Sequence, residues 1–467
     1  MRRASALVVA GAFAGASTAV AALPTNAPAT ACLTDGQVED VLLLDGVAYL
    51  AGRFSHVRPP GAAIGDPEEV ERIFFAACDA ATGTVLAWNP QATCDAATYP
   101  VCANNPRGQT IALSADGQSL YIGGKFREVA GQPRRHAAKV SRATAALDPD
   151  WQPEPADRVQ RLALAPGGAR VYVAGNFTSL GGCSPAPCHA HLAAVDPATG
   201  AIDAGFDPRV ECDDQGGSCF TSVYSLLPDP EGAKLYLGGQ FGAVNGVVRD
   251  SVAAVDAATG AATLDFAPQL ADTNPNDPYV QVHDLAFDGD WLYVCGDWWA
   301  TGGVGDMQNQ RNVNRFDPET GAVDNDFWIA TDGGVQACVV DANLGLLFVG
   351  GHFDCVREWL DSTTPVDPSP SQCGTDPLFV GTVQRDLFAL TLAGGELTAW
   401  NPDTGGTPGI WAAAVGEGRL FVGGEVRWPR QATTATHQNL LAFDVALFAD
   451  GFERGTVERW SVSLPAP

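Results

Sequence analysis

Three observations predict an all-β repeat architecture. A short motif (an aromatic, an apolar residue, a small pair ending in glycine, one polar residue and an apolar closing position) occurs seven times. The copies begin at Tyr49, Tyr121, Tyr172, Tyr236, Tyr293, Phe348 and Phe421, at intervals of roughly 50 to 75 residues, the signature of a repeat array. Short apolar-polar alternations lie around them, punctuated by Gly, Pro and Asp. With 52 Gly and 32 Pro the chain is turn-rich, and its 46% hydrophobic content suffices for a core, which excludes disorder for its body.

Residues 159–208 show one unit. Val159 to Leu164 alternates as a strand should, Pro166-Gly167-Gly168 turns it, and Val171 to Phe177 returns. Leu192 to Asp196 is a third strand closed by Pro197-Ala198-Thr199-Gly200, and Ala201 to Pro208 is a fourth. The turn recurs at Asp79–Gly83, Asp256–Gly260 and Asp317–Gly321. The fourth segment ends in Trp88-Asn89-Pro90, Trp151-Gln152-Pro153, Phe266-Ala267-Pro268 or Trp400-Asn401-Pro402, where proline suits a strand end. One such meander cannot bury both faces alone, whereas seven packed radially can. With no linker visible between Gln37 and Asp444, residues 23–445 are predicted to form a seven-bladed β-propeller of four-stranded antiparallel meanders. Glycine pairs fit the crowding near its axis, and no helix follows them to make a phosphate cradle.

At the amino end, Arg2 and Arg3, the apolar run Ala6 to Ala16 and Ala19-Val20-Ala21 read as a secretory signal peptide over residues 1–22. No later run has the length of a spanning helix, so no membrane span is expected and the mature chain is predicted to be secreted, periplasmic or at the cell surface. The net charge of −27 without a polybasic run argues against nucleic acid. Twelve cysteines in an exported chain point to disulfides. Four pairs are close in sequence: Cys94–Cys102, Cys183–Cys188, Cys212–Cys219 and Cys355–Cys373. Cys32, Cys78, Cys295 and Cys338 pair over longer distances or stay reduced. A Cys295–Cys338 bridge would join neighbouring units, and Cys32–Cys78 follows by elimination. No C-x-x-C supports a zinc or redox centre.

The unit V-x-x-L-x-L…DG-x-x-LY-x-GG-x-F…LAA-x-D-x-x-TG…F-x-P, clearest at 159–208 and 223–268, resembles the delta-60 repeat of bacterial secreted β-propeller proteins, across about 36–445. Kelch repeats are similar in the double glycine but lack the Phe that closely follows it. The resemblance implies architecture and export; the family carries no common catalytic motif, so it transfers no active-site residues. Residues 446–467, with Phe448-Ala449-Asp450-Gly451-Phe452-Glu453, resemble a C-terminal motif of exported bacterial proteins. Either this tail or the segment around Cys32 is expected to complete the last unit.

Long connections after the second strand (55–72, 178–190, 299–311, 354–385, 427–438) and before the first (91–108, 209–221, 269–281) share one face of such a fold, as do the four local cysteine pairs. Insertions confined to one face mark a binding surface. The residues after the glycine pairs, Arg53, Lys125, Asn176, Gln240, Asp297, His352 and Glu425, with Trp299, are the candidate ligand-binding set. Nearer the axis, first strands open with Glu39-Asp40, Gln160-Arg161, His283-Asp284 and Gln336. The expected function is a monomeric binding or scaffold module that recognises an extracellular polysaccharide or protein. The alternative is a hydrolase or lyase that uses Asp40, Arg161, His283 and Asp284 at the channel mouth. No G-x-S-x-G, H-E-x-x-H or nucleotide loop occurs, and no cofactor or metal is expected. His189-Ala190-His191 lacks an evident third metal ligand. Asp272, Asn274, Asn276 and Asp277 match turn chemistry better than a calcium loop, and the Asn176-Phe177-Thr178 sequon simply fits the repeat.

Overall fold

The computed structural model describes residues 23–181, 189–212, 220–271, 280–298, 300–301, 311–358, 381–430 and 437–445. The expected signal peptide over residues 1–22, the tail 446–467, Trp299 and the 272–277 oxygen donors lie outside the described residues, as do Cys183, Cys188, Cys219 and Cys373.

The described chain is all-β. Seven three-stranded antiparallel sheets follow one another in sequence. The first three are Val38–Leu44, Val47–Gly52 and Phe75–Asp79; Arg107–Leu113, Ser119–Lys125 and Ala137–Ser141; Val159–Leu164, Val171–Gly175 and Leu192–Val195. The fourth is Ser222–Pro228, Lys234–Gln240 and Val252–Asp256, and the fifth Gln281–Phe287, Leu292–Asp297 and Val313–Phe316. The last two are Val335–Asp341, Leu346–Gly351 and Leu387–Thr391, then Gly405–Gly416, Arg419–Trp428 and His437–Asp444. The motif forms the second, central strand of every sheet.

The fourth segment of each unit is not a full strand. It is held by isolated bridges such as Cys78–Val85, Val140–Leu147 and Val255–Ala262. Side chains do the rest of the pairing. The segment's Trp or Phe meets the motif aromatic of its own unit, with ring centroids 5.2 Å apart for Tyr49–Trp88, 5.0 Å for Tyr121–Trp151 and 5.6 Å for Phe348–Trp400. The polar ends of several of these rings then reach the following unit. Tyr121 donates to the Pro197 carbonyl (2.8 Å), Tyr236 to Pro318 (3.0 Å), and Trp151 Nε1 to Asp196 (3.1 Å). These acceptors lie at the Asp-x-x-Thr-Gly turns, whose Asp carboxylate caps the turn. Asp196 Oδ1 accepts from Ala198 N, Thr199 N and Thr199 Oγ1 at 3.0, 2.7 and 2.9 Å.

The core lies between sheets, because each large cluster of buried side chains draws on two neighbours. First strands pack successively on one another, and the first strand of the seventh sheet packs on that of the first. One cluster accordingly combines Val38, Val41 and Leu50 with Ala412, Phe421 and Leu440. The amino-terminal segment pairs with the seventh sheet's outer strand. Ala29 N donates to Ala442 O at 2.6 Å, and Trp400 Nε1 to Thr25 O at 3.0 Å.

The long connections are ordered against each other in five smaller sheets. Ala92–Thr93, before a first strand, pairs with Glu128–Val129, after a second strand, which pairs with Gln132–Pro133. Val210–Glu211 with Ala243–Val244, and Ile329–Thr331 with Cys355–Glu358, repeat the arrangement. Both classes of connection therefore share one face. Three bridges brace the structure: Cys94–Cys102 within a connection, Cys295–Cys338 between the fifth and sixth sheets, and Cys32–Cys78 between the amino-terminal segment and the first sheet. Cys212 and Cys355 are also disulfide-bonded. Among the described residues no helix is long and apolar enough to cross a membrane.

Candidate functional site

The site is built by one backbone irregularity repeated seven times. Every first strand carries a register shift near its start: between Val38 and Asp40, Gly108 and Thr110, Val159 and Arg161, Val223 and Ser225, Val282 and Asp284, Val335 and Ala337, and Ile410 and Ala412. A bulge of this kind leaves one residue out of the ladder and re-aims its side chain. The residues passed over are Glu39, Gln109, Gln160, Tyr224, His283, Gln336 and Trp411. All seven line a single cavity of about 320 Å³, together with Arg53, Arg107, Arg158 and Arg161.

The glycine pair makes the bulge possible. A Cβ on its second member would lie 2.0 to 2.3 Å from the carbonyl oxygen two residues before the bulged one, in all seven sheets (Gly52 on Gln37, Gly175 on Arg158, Gly296 on Gln281, for example). A Cβ on the first member, where it is glycine, would strike the next sheet: Gly123 on Val159 at 2.7 Å and Gly423 on Val38 at 2.6 Å. The pair is thus a steric requirement of strand pairing and sheet packing.

Around the mouth, Glu39 accepts from Arg53 Nε (2.7 Å), Arg107 Nη1 (2.8 Å) and Gln109 Nε2 (3.2 Å). Arg158 donates to the neutral Asn176 Oδ1 at 3.3 and 3.2 Å, and Gln160 donates to the same oxygen at 2.9 Å. Burial lowers Arg158 and pulls Arg107 down to about 10, against the attraction of Glu39 in both cases. On the far side, the His283 ring stacks on Tyr224 (5.5 Å, 16°) and meets Trp411 edge-on (6.1 Å). Burial pushes His283 down to about 4, helped by nearby His352, so the ring is neutral at pH 7 and a weak base.

One residue further along each first strand the chain forms a deeper layer. Arg161 lies between two carboxylates from different sheets, 3.7 Å from Asp40 and 3.5 Å from Asp284. Asp40 accepts from Val41 N (3.0 Å) and Ile111 N (2.8 Å). Asp284 accepts from Leu285 N (3.0 Å), Cys338 N (3.1 Å) and Ser225 Oγ (3.3 Å). Burial raises both carboxyls, and Arg161 with these donors opposes it. The fixed carboxylates and guanidinium can polarise or hold a ligand, and each carboxyl is also tied into the neighbouring sheet's backbone.

The sequence-derived set divides accordingly. Asp40, Arg161 and Asp284 come together in the deeper layer, while Arg161, His283 and Arg53 line the cavity. Asn176, Gln240 and His352 stand behind the bulged residues of their own sheets: Gln240 Oε1 accepts from Tyr224 (3.4 Å), and the Gln336 amide meets His352 Nδ1 (2.8 Å). His352 also lines a separate cavity of about 510 Å³, and Glu425 one of about 320 Å³. Lys125 and Asp297 each end their second strands and line none of these three cavities. His191 is largely buried, its Nδ1 3.3 Å from the Gly175 carbonyl. Among the described residues no group of three or more His, Cys, Asp or Glu side chains is placed to hold a metal. Gln109, Tyr224, Trp411, Arg107 and Arg158 are additions to the set. Aligning the units on the residue before each bulge (Val38, Gly108, Val159, Val223, Ile410) would have found them on its two sides.

No family model matches the chain, and no curated protein matches it. Among solved structures it is similar to the computationally designed Ika8 protein, at 9% identity and a TM-score of 0.46, over 89% of this chain and 98% of that one. A likeness at that level carries no argument about fold family or function.

Proposed function

We propose that this chain is an exported, seven-bladed β-propeller of the delta-60 type, acting outside the cytoplasm as a binding or scaffold module for a polysaccharide or protein. Seven sheets of one register, whose first strands touch in succession back to the start, support the architecture. Disulfides fit an oxidising compartment. The observation that carries the binding reading is the convergence of seven bulged side chains, one from each sheet, on a single cavity. Convergent polar groups around aromatic rings are what a small-ligand or chain-end site requires. A glycan array and an affinity capture from culture medium, each repeated with Trp411→Leu, test it. Binding is expected to fall with Trp411→Leu while the unfolding transition stays in place; an identified ligand held equally well by the variant refutes the assignment.

A second reading has its own observation, the placement of Arg161 between Asp40 and Asp284. Under it the chain is a hydrolase or lyase with its acid-base groups in the deeper layer. The low basicity of His283 and the backbone hydrogen bonds that occupy both carboxyls favour the binding reading. An activity panel on polysaccharides, repeated with Asp284→Asn, separates the two: an activity lost in the variant establishes the enzyme.

A further inference from the structure

Within a chain of net charge −27, the mouth of the central cavity is a cationic island. Three guanidiniums at its mouth, Arg53, Arg107 and Arg158, face one carboxylate, Glu39. Arg158 has no ion-pair partner among the described residues; its hydrogen bonds go to a neutral amide oxygen. Glu39 and Asp157 attract this half-buried guanidinium without forming an ion pair with it, and its fork matches a carboxylate in two parallel hydrogen bonds. Excess positive charge here is therefore a demand for an anion.

The remaining lining says what carries the anion. Gln109 Oε1 is a buried acceptor without a partner, and Trp411 Nε1 a buried donor without one. Gln336, 4% exposed, satisfies one end of its amide on the His352 ring and leaves the other buried end without a protein partner. Whichever way that amide is turned, one of its ends remains for a ligand. Opposite the arginines, Tyr224, His283 and Trp411 offer flat apolar surface. Donors and acceptors interleaved beside stacked rings suit a ring bearing several hydroxyls, and about 320 Å³ holds one or two such rings.

We infer that the cavity binds a carboxylated sugar, a uronate residue of an acidic polysaccharide, with the carboxylate on Arg158 and its neighbours and the sugar ring against Tyr224, His283 and Trp411. This rests on the binding reading above and names its ligand class. Calorimetric titration of the full chain with uronate trimers (galacturonate, glucuronate and mannuronate), maltotriose, inorganic phosphate and a short acidic peptide tests it. At least one uronate trimer binds, and maltotriose binds at least about tenfold more weakly. Arg158→Met keeps the aliphatic stem and removes the charge; it weakens uronate about 10- to 100-fold and leaves any maltotriose binding unchanged. Trp411→Phe, which keeps a ring and deletes the donor, weakens both sugars. Both variants are checked for an unchanged thermal transition.

Equal affinity for maltotriose and the uronates, or an Arg158→Met variant that binds uronate as well as the parent, overturns the carboxylate assignment and leaves the binding reading in place. Binding confined to phosphate or to the peptide overturns the sugar class. Silence towards all four probes overturns the inference outright. The binding reading fails separately, when a ligand from the glycan array proves indifferent to Trp411→Leu.

Discussion

The second glycine of the motif gives the sharpest test of how the cavity is built. In Gly175→Ala the added Cβ lies 2.2 Å from the Arg158 carbonyl oxygen and 2.9 Å from Gln160 N. Ordinary contact is above about 3.4 Å, so the paired strand would have to retreat by about 1 Å. The obstacle is backbone held in a ladder rather than the end of a flexible side chain. Overpacking of this kind costs about 1–3 kcal/mol, and a rigid neighbour places Gly175→Ala near the top, at about 3 kcal/mol. Gly131 is the control: its φ is +69° and a Cβ there meets nothing within 4 Å. Gly131→Ala therefore carries only the left-handed penalty, about 1 kcal/mol. Urea unfolding followed by tryptophan fluorescence measures both. Because the displaced carbonyl belongs to Arg158 and the displaced amide to Gln160, ligand affinity is expected to fall in Gly175→Ala and to hold in Gly131→Ala. A Gly175→Ala variant within about 0.5 kcal/mol of the parent refutes the claim that the bulge and the glycine require one another.

Other consequences follow from the same geometry. Asp386 is buried at 6% exposure with its carboxyl raised to about 8, by burial first and by Asp354 next. A raised carboxyl keeps its proton in the fold, so its contribution to stability is complete below the unfolded pKa of about 4 and is lost as pH rises through about 8. Asp386→Asn, which suits the left-handed φ of 60°, is expected to flatten the decline between pH 4 and 8 in melts across pH. An unchanged slope would dismiss this account. Tyr121→Phe removes only the donor to Pro197 and is expected to cost about 1 kcal/mol, whereas Trp151→Ala empties a fully buried ring site and costs about 3–5 kcal/mol in the same denaturation assay. Replacing Cys295 and Cys338 together by Ala frees a 43-residue separation and is expected to cost about 4 kcal/mol on the chain-entropy estimate, read as a lower urea midpoint.

Much of this was legible because the repeat reports the same environment seven times. The motif marked every central strand, the Asp-x-x-Thr-Gly turns fell where their Asp side chains cap, and Cys295–Cys338 joined two units as their places in neighbouring units suggested. Asp40, Arg161 and Asp284 were found because charged residues stand out in an apolar strand. Tyr224 and Trp411 were not, since aromatics at a strand start read equally well as core. Gln109 was hidden by Gly108, which replaces the valine that opens most first strands. The fourth strand was overread: its alternation is real, but the Trp or Phe turns inward to the motif aromatic and leaves little backbone to pair. The small sheets on the loop face were invisible because two-residue strands have no period.

The same latitude of every sheet is fixed by a third element that the sequence conceals. A residue at the start of each third strand has a left-handed backbone, although it is Phe74, His136, His191, Ser251, Asn312 or Asp386 just before the strand, or Asn439 within the seventh sheet's, rather than glycine. Non-glycine residues adopt that conformation only at a cost of about 1 kcal/mol or more, so something must hold them there. Two hydrogen bonds do so in the third sheet: His191 N donates to the Phe177 carbonyl (2.8 Å), and the His191 carbonyl accepts from Gly175 N (2.9 Å). His136, Ser251 and Asp386 repeat both bonds with Phe126 and Gly124, Phe241 and Gly239, and Phe353 and Gly351. The second glycine is therefore clasped on one side by the left-handed residue and pressed on the other by the bulge carbonyl. Three strands are locked at the height where the bulged side chain enters the cavity. Backbone geometry at that height is set without reference to the bulged residue's identity, which leaves Glu39, Gln109, Gln160, Tyr224, His283, Gln336 and Trp411 free to differ. A constant frame with seven independent side chains is a means of shaping one site to one ligand, and it accounts for why the most regular level of the fold carries its most varied residues.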